Sequence, residues 1–203
     1  MRLILVRHGE TLWNAEQRLQ GHHDVPLSPR GIEQARAFCR YAQKLAPRLV
    51  VSSDLGRCRE TARLLGFHDA PTDPRLREIN MGEWTGRTKP DLVAELPEAY
   101  RAWRAGSYRP LNGENWGEFR DRIVGGLRDW LKRADGDVLA VVHSGVVRAA
   151  LSTFLGLPQD RLAPVSNGAG TILSFADPSF KEARLEGFNL GMFAPAMAEA
   201  PPD

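Results

Sequence analysis

Residues 3–14 read Leu-Ile-Leu-Val-Arg-His-Gly-Glu-Thr-Leu-Trp-Asn. The apolar run from Leu3 to Val6 has the pattern of a short buried strand, and it stops abruptly at Arg7-His8-Gly9. Two potentially cationic side chains therefore sit where a parallel strand ends. In open α/β sheets that is the edge at which ligands bind. Gly9 lets backbone or ligand approach closely. Thr11 and Asn14 add neutral hydrogen-bonding groups a few residues on. Arginine offers a planar fork of donors, and histidine serves as donor, base or nucleophile, so the pair suits an anion. One Arg-His-Gly occurs by chance in many chains; the rest of the sequence gives it weight.

The device recurs. Val138 to Val142 is a second apolar run, followed by His143-Ser144-Gly145 and an apolar helix to Leu155. Ser144 or Gly145 is expected to cap that helix, whose N-terminal amides favour a phosphate. Between the two runs, Ser28-Pro29 opens a helix with serine as N-cap and proline at the first helical position. Ile32, Ala35, Phe38, Ala42 and Leu45 form its apolar face, and Pro47 ends it. Leu49 to Val51 is a further buried strand. The helix after it carries Leu55, Cys58, Ala62 and Leu65 on one side, with Gly66 closing it and Arg57 in its first turn. Residues 171–176 and 184–188 are expected as later strands forming an edge pair.

Residues 88–133 carry no strand signal. Helices are expected on either side of a break at Pro110 to Gly113, the second from Glu114 to Arg133. This segment is expected to be a helical cap over the sheet, its aromatic residues (Tyr100, Trp103, Tyr108, Trp116) serving as core. Residues 15–27 are a loop. Its His22-His23-Asp24 run is expected to be solvated or to line substrate, because neighbouring side chains diverge and no second ligand cluster answers it. Leu76 to Gly86 is a candidate functional loop with two carboxylates, Glu78 and Glu83. The tail from Ala194 to Asp203 is expected to be peripheral.

A chain of 203 residues suffices for one sizeable core, and a single domain over 1–203 is expected. The formal net charge of +2, with scattered arginines and no basic block, gives nucleic-acid binding little support. Two cysteines, Cys39 and Cys58, make neither a disulfide framework nor a zinc motif, and neither has arginine at the spacing of a cysteine phosphatase. The N-terminal apolar run is too short for a signal peptide and no run spans a membrane, so a cytoplasmic location is expected.

Assembled at the strand ends, Arg7, His8, Arg57 and His143 would hold a dianionic phosphoryl group. One neutral histidine could attack phosphorus while the other groups offset charge on the equatorial oxygens. A nearby carboxylic acid could protonate the departing oxygen. These residues resemble the histidine phosphatase superfamily, also called phosphoglycerate mutase-like. The likeness runs through Leu3 to Asn14, Leu27 to Gly31, Ser52 to Ala62, Leu76 to Gly86 and Val141 to Gly145. The resemblance implies an α/β fold with a mostly parallel central sheet flanked by helices and a helical cap. It implies His8 as nucleophile, Arg7, Arg57 and His143 as the phosphate pocket, Asn14 as a further hydrogen-bond partner, and Glu78 as acid/base, with Glu83 the competing carboxylate. Gln20, Gly21 and Ser144 join the substrate-binding set.

The activity implied is hydrolysis of a small phosphorylated metabolite without metal or cofactor. A phosphoglycerate mutase and a non-catalytic phospho-ligand-binding member are the alternatives. Gln20 and the short segment between the acid/base loop and the second histidine favour the phosphatase. His22 departs from the tryptophan common after Gly21 in the family, which is expected to bear on substrate. A homodimer is an open expectation.

Overall fold

The computed structural model describes residues 1–158 and 161–191. Five strands form one sheet in the order β2-β3-β1-β4-β5: β1 (Arg2–Arg7), β2 (Leu49–Ser52), β3 (Val138–Val142), β4 (Gly170–Ser174) and β5 (Arg184–Leu190). The first three are parallel to one another. Strand β4 runs antiparallel to β1, and β5 antiparallel to β4. Every strand except β4 thus points the same way. The register Leu3↔Val138 to Arg7↔Val142 sets the ends of β1 and β3 side by side. The residues that follow them, His8 and His143, are therefore neighbours.

The alternation of strand side chains divides the core in two. Leu3, Leu5, Val138, Ala140 and Val142 face α6 (Trp116–Arg133) and α7 (Ser144–Leu155). Ile4, Val6, Leu139 and Val141 face α2 (Pro29–Lys44) and α3 (Gly56–Leu64). A continuous apolar strand is what a sheet covered on both faces demands. Helix α2 begins as the sequence suggests, with Ser28 Oγ accepting from Gly31 N at 3.0 Å and Pro29 as first helical residue.

Three short helices complete the set: α1 (Leu12–Ala15), α4 (Lys89–Glu95) and α5 (Pro97–Arg104). The segment expected as one cap divides. Helix α6 buries Phe119, Ile123, Leu127 and Leu131 and packs on α7, so it belongs to a flanking layer. Helices α4 and α5 and the stretch after them contribute Lys89, Tyr100, Trp103, Arg104 and Tyr108 to a cavity at the strand ends. Fully buried Trp84 supports these aromatic rings, 5.2 Å from Tyr108, 5.9 Å from Trp103 and 6.4 Å from Tyr100 between centroids. They pack on the core with one side and face the cavity with the other, which corrects the expectation that they are core alone.

Among the described residues, no helix is long and apolar enough to cross a membrane. The tail from Ala194 to Asp203 lies outside them.

Candidate active site

His8 follows β1 directly and is 4% exposed. Its Nδ1 donates to the Gly9 carbonyl at 2.7 Å. A carbonyl only accepts, so the proton of a neutral ring sits on Nδ1 and Nε2 carries the lone pair. Burial, followed by the nearby Arg57 and Arg7 cations, pushes the His8 pKa well below 6.5. The ring is therefore neutral at physiological pH.

Arg57 occupies the first turn of α3, where its side chain is 1% exposed. Its Nη2 donates to Gly21 O and its Nη1 to His23 O, both at 2.8 Å, and its Nε donates to His143 Nδ1 at 3.3 Å. Asp24 reaches α3 from the same loop. Its carboxylate accepts from Gly56 N at 2.6 Å and Arg57 N at 3.4 Å, capping a helix whose N-cap, Leu55, makes no side-chain cap. The His22-His23-Asp24 run also clamps Arg57 and α3, while His23 and Asp24 are exposed and the loop lines the cavity through Arg18, Gln20 and Gly21, as expected. Gly21 turns that loop at φ +52°, and a Cβ there would lie 2.9 Å from Met81 N.

Arg7 donates through Nη1 to Val165 O, while its buried Nε has no partner. Burial lowers its pKa to about 10, which leaves it cationic. An unpartnered buried donor beside a neutral histidine is a natural contact for an anion. His143 is fully buried and sits behind this layer, its ring centroid 5.2 Å from that of His8. With Nδ1 accepting from Arg57, its Nε2 donates to Ser53 Oγ at 3.0 Å. It is not among the cavity-lining residues; in this arrangement it orients Arg57.

Glu78 lines the same cavity as Arg7, His8 and Arg57, whose volume is about 190 Å³. Its Oε2 accepts from Gly145 N at 3.0 Å and its Oε1 from Ile79 N at 2.9 Å. The group seated at the α7 N-terminus is thus the protein's own Glu78 carboxyl. The N-cap there is His143, with no side-chain cap, in place of the expected Ser144 or Gly145. Ser144 opens the helix and lines the cavity. Glu83, the competing carboxylate, is exposed and lies outside the cavity lining.

Asn14, Gln20 and Gly21 also line the cavity. Asn14 Oδ1 accepts from Asn167 Nδ2 at 3.1 Å, and the same nitrogen lies 3.3 Å from His8 O. Gln20 is 7% exposed and its Oε1 has no partner. His22, expected to bear on substrate, does not itself line the cavity; its Nε2 donates to Glu78 O at 2.8 Å. Sequence reasoning missed the outer lining: Arg18, Lys89, Arg104 and Arg148, with Tyr100, Trp103, Tyr108 and Trp116. Among the described residues, no group of three or more His, Cys, Asp or Glu side chains is placed to hold a metal.

A neutral histidine with a free Nε2, two arginines and a carboxyl group in one cavity define a phosphoryl-transfer site. The comparisons agree with that class. The model of the histidine phosphatase superfamily (branch 1) matches residues 3–186. A glucosyl-3-phosphoglycerate phosphatase of Mycolicibacterium vanbaalenii is 39% identical over 181 residues, covering 83% of this chain and 80% of that protein. A probable phosphoglycerate mutase GpmB of Enterobacter sp. is 39% identical over 164 residues, covering 78% and 76%. Among solved structures, a mycobacterial glucosyl-3-phosphoglycerate phosphatase superposes with a TM-score of 0.83 at 32% identity, covering 94% of this chain and 99% of that one. The chain belongs to the histidine phosphatase superfamily. Enzymes of that superfamily act through a phosphohistidine on small phosphorylated metabolites, and this chain is an enzyme of that kind.

Proposed function

We propose that His8 is the nucleophile, that Glu78 is the proton donor to the leaving group, and that the reaction is net hydrolysis with no metal requirement. The observation that carries this reading is the Nδ1–H bond from His8 to Gly9 O, which leaves Nε2 free beside Arg7 and Arg57. Nε2 attacks phosphorus, and the P–O bond to the leaving group breaks. Glu78, in its protonated form, gives that oxygen its proton. The carboxylate formed then takes a proton from the water that attacks phosphohistidine, releasing inorganic phosphate and restoring both residues. Arg7 and Arg57 offset charge on the transferring oxygens, a role that metal ions fill elsewhere.

The outer lining suggests the rest of the substrate. Lys89 and Arg104 line the cavity together with four aromatic rings, all from outside the strand ends that carry His8 and Arg57. A metabolite with a second anion and a sugar face fits that lining, and the relative named glucosyl-3-phosphoglycerate phosphatase acts, by its name, on a molecule with both. A phosphorylated sugar acid is therefore the proposed substrate class.

A mutase differs in retaining a bisphosphorylated intermediate, which demands closure over it. The test follows 3-phosphoglycerate, glucosyl-3-phosphoglycerate and a simple alkyl phosphate in the presence of a chelator, with a trace of 2,3-bisphosphoglycerate added to the first. The expected result is phosphate release, unaffected by the chelator, with the highest kcat/KM on an acid-bearing substrate. Rapid formation of 2-phosphoglycerate with negligible phosphate release would make the chain a mutase. Equal kcat/KM on all three substrates would remove the assigned role of the cationic lining.

A further inference from the structure

The loop that follows Gln20 touches both halves of the site. Gly21 O and His23 O receive the Arg57 guanidinium, each at 2.8 Å. Between them, His22 turns the other way and donates from Nε2 to Glu78 O at 2.8 Å. The two loops also press backbone to backbone, since a Cβ on Gly21 would lie 2.9 Å from Met81 N and 3.2 Å from Ile79 O. From the opposite side, Arg122 of α6 holds the acid loop by its carbonyls, at 2.7 Å from Arg75 O, 3.1 Å from Arg77 O and 3.4 Å from Glu78 O. The Glu78 carbonyl thus has one anchor from the flanking helix and one from the loop that clamps Arg57, in addition to the two amides on its carboxyl.

We propose that His22 is a positioning residue: it sets the Glu78 carboxyl relative to the Arg57 guanidinium, so that the proton donor and the anion holder move as one unit. The proposal rests on the reading of Glu78 as the acid. His22 touches no reacting atom, so its effect must travel through Glu78. A carboxyl displaced by a fraction of an ångström loses alignment with the leaving oxygen while the phosphate stays bound. The loss must then follow the leaving group's need for a proton. The donor alone is required, so a glutamine amide, whose nitrogen reaches about as far along the side chain, should replace it.

The test compares kcat/KM for an alkyl phosphate and for p-nitrophenyl phosphate across wild type, His22→Phe, His22→Gln, Glu78→Gln and the double variant His22→Phe/Glu78→Gln. His22→Phe is expected to lose roughly tenfold on the alkyl substrate and about twofold on the aryl one. His22→Gln is expected to recover most of the alkyl activity. In the Glu78→Gln background, His22→Phe should cost little more, because the two act through one group. Equal losses on both substrates, or an undiminished alkyl loss in the Glu78→Gln background, would overturn the proposal. If Glu78→Gln itself shows no leaving-group selectivity, the acid assignment fails, and the His22 role falls with it; that outcome is read from the Glu78→Gln variant alone.

Discussion

Glu78 is held by two backbone amides, from Gly145 and Ile79, which fixes both carboxyl oxygens in the cavity wall. A general acid matters most where the leaving oxygen is strongly basic. Glu78→Gln is therefore expected to reduce hydrolysis of alkyl phosphates by about 10²-fold or more, and of p-nitrophenyl phosphate far less. Equal losses in a steady-state comparison would remove it from that role. At this scale the sequence was most legible where chemistry sits next to a strand end. His8 and His143 follow β1 and β3 directly, and Arg57 is the second residue of the helix after β2. Glu78 needed the family likeness, since its loop has no periodicity to place it. Lys89 and Arg104 could not be found, because they reach the cavity from segments whose position over the sheet depends on tertiary packing, and the same holds for Asn167, which bonds His8 O and Asn14. The contacts of the His22 run were hidden for the same reason: neighbouring side chains do diverge, but one bonds Glu78 and another caps α3.

Among elements, the start of α7 is built around the acid. A Cβ on Gly145 would lie 2.1 Å from Glu78 Oε1 and 3.2 Å from Phe119 Cζ. Glycine stands there because the carboxylate occupies the side-chain position. Gly145→Ala is expected to push Glu78 aside and to reproduce the leaving-group selectivity of Glu78→Gln while phosphate binding falls much less. Kinetics on the same two substrates, with inorganic phosphate as competitive inhibitor, check this. A Gly145→Ala enzyme with wild-type alkyl activity would mean that Glu78 does not work from this position. Helix α6 shows the limit of pattern reading. Its apolar positions Phe119, Ile123, Leu127 and Leu131 identify a helix and its face from sequence alone. Nothing in that periodicity says whether the face covers a sheet or roofs a cavity, and the packing on α7 decides it.

For the molecule as a whole, two neutral imidazoles buried beside arginines make stability depend on pH. Burial and the Arg57 cation hold both His8 and His143 well below 6.5, with Arg7 also lowering each and His8 adding to the shift at His143. As pH falls through 6.5, the unfolded chain takes up protons that the native state refuses, so stability must fall. Their contribution is fully present above the unfolded pKa and is lost progressively below it, at about 1.4 kcal/mol per pH unit for each histidine. Denaturant midpoints are expected to drop between pH 7 and pH 5, with a shallower slope for His143→Gln; a slope that His143→Gln leaves unchanged would contradict the burial of a neutral ring. The α/β architecture itself was legible, because apolar strands followed by amphipathic helices leave few alternatives. The antiparallel placement of β4 between β1 and β5 was not, since pairing partners leave no mark in a single strand's composition. The central claim, that the phosphoryl group passes through His8, is tested most directly by trapping. The enzyme is mixed with a phosphorylated sugar acid, quenched within milliseconds in alkali and mapped by peptide. The account predicts a label on the peptide carrying His8, stable to alkali, lost in acid and absent from His8→Ala. An undiminished label in His8→Ala, or one on any other residue, would contradict it.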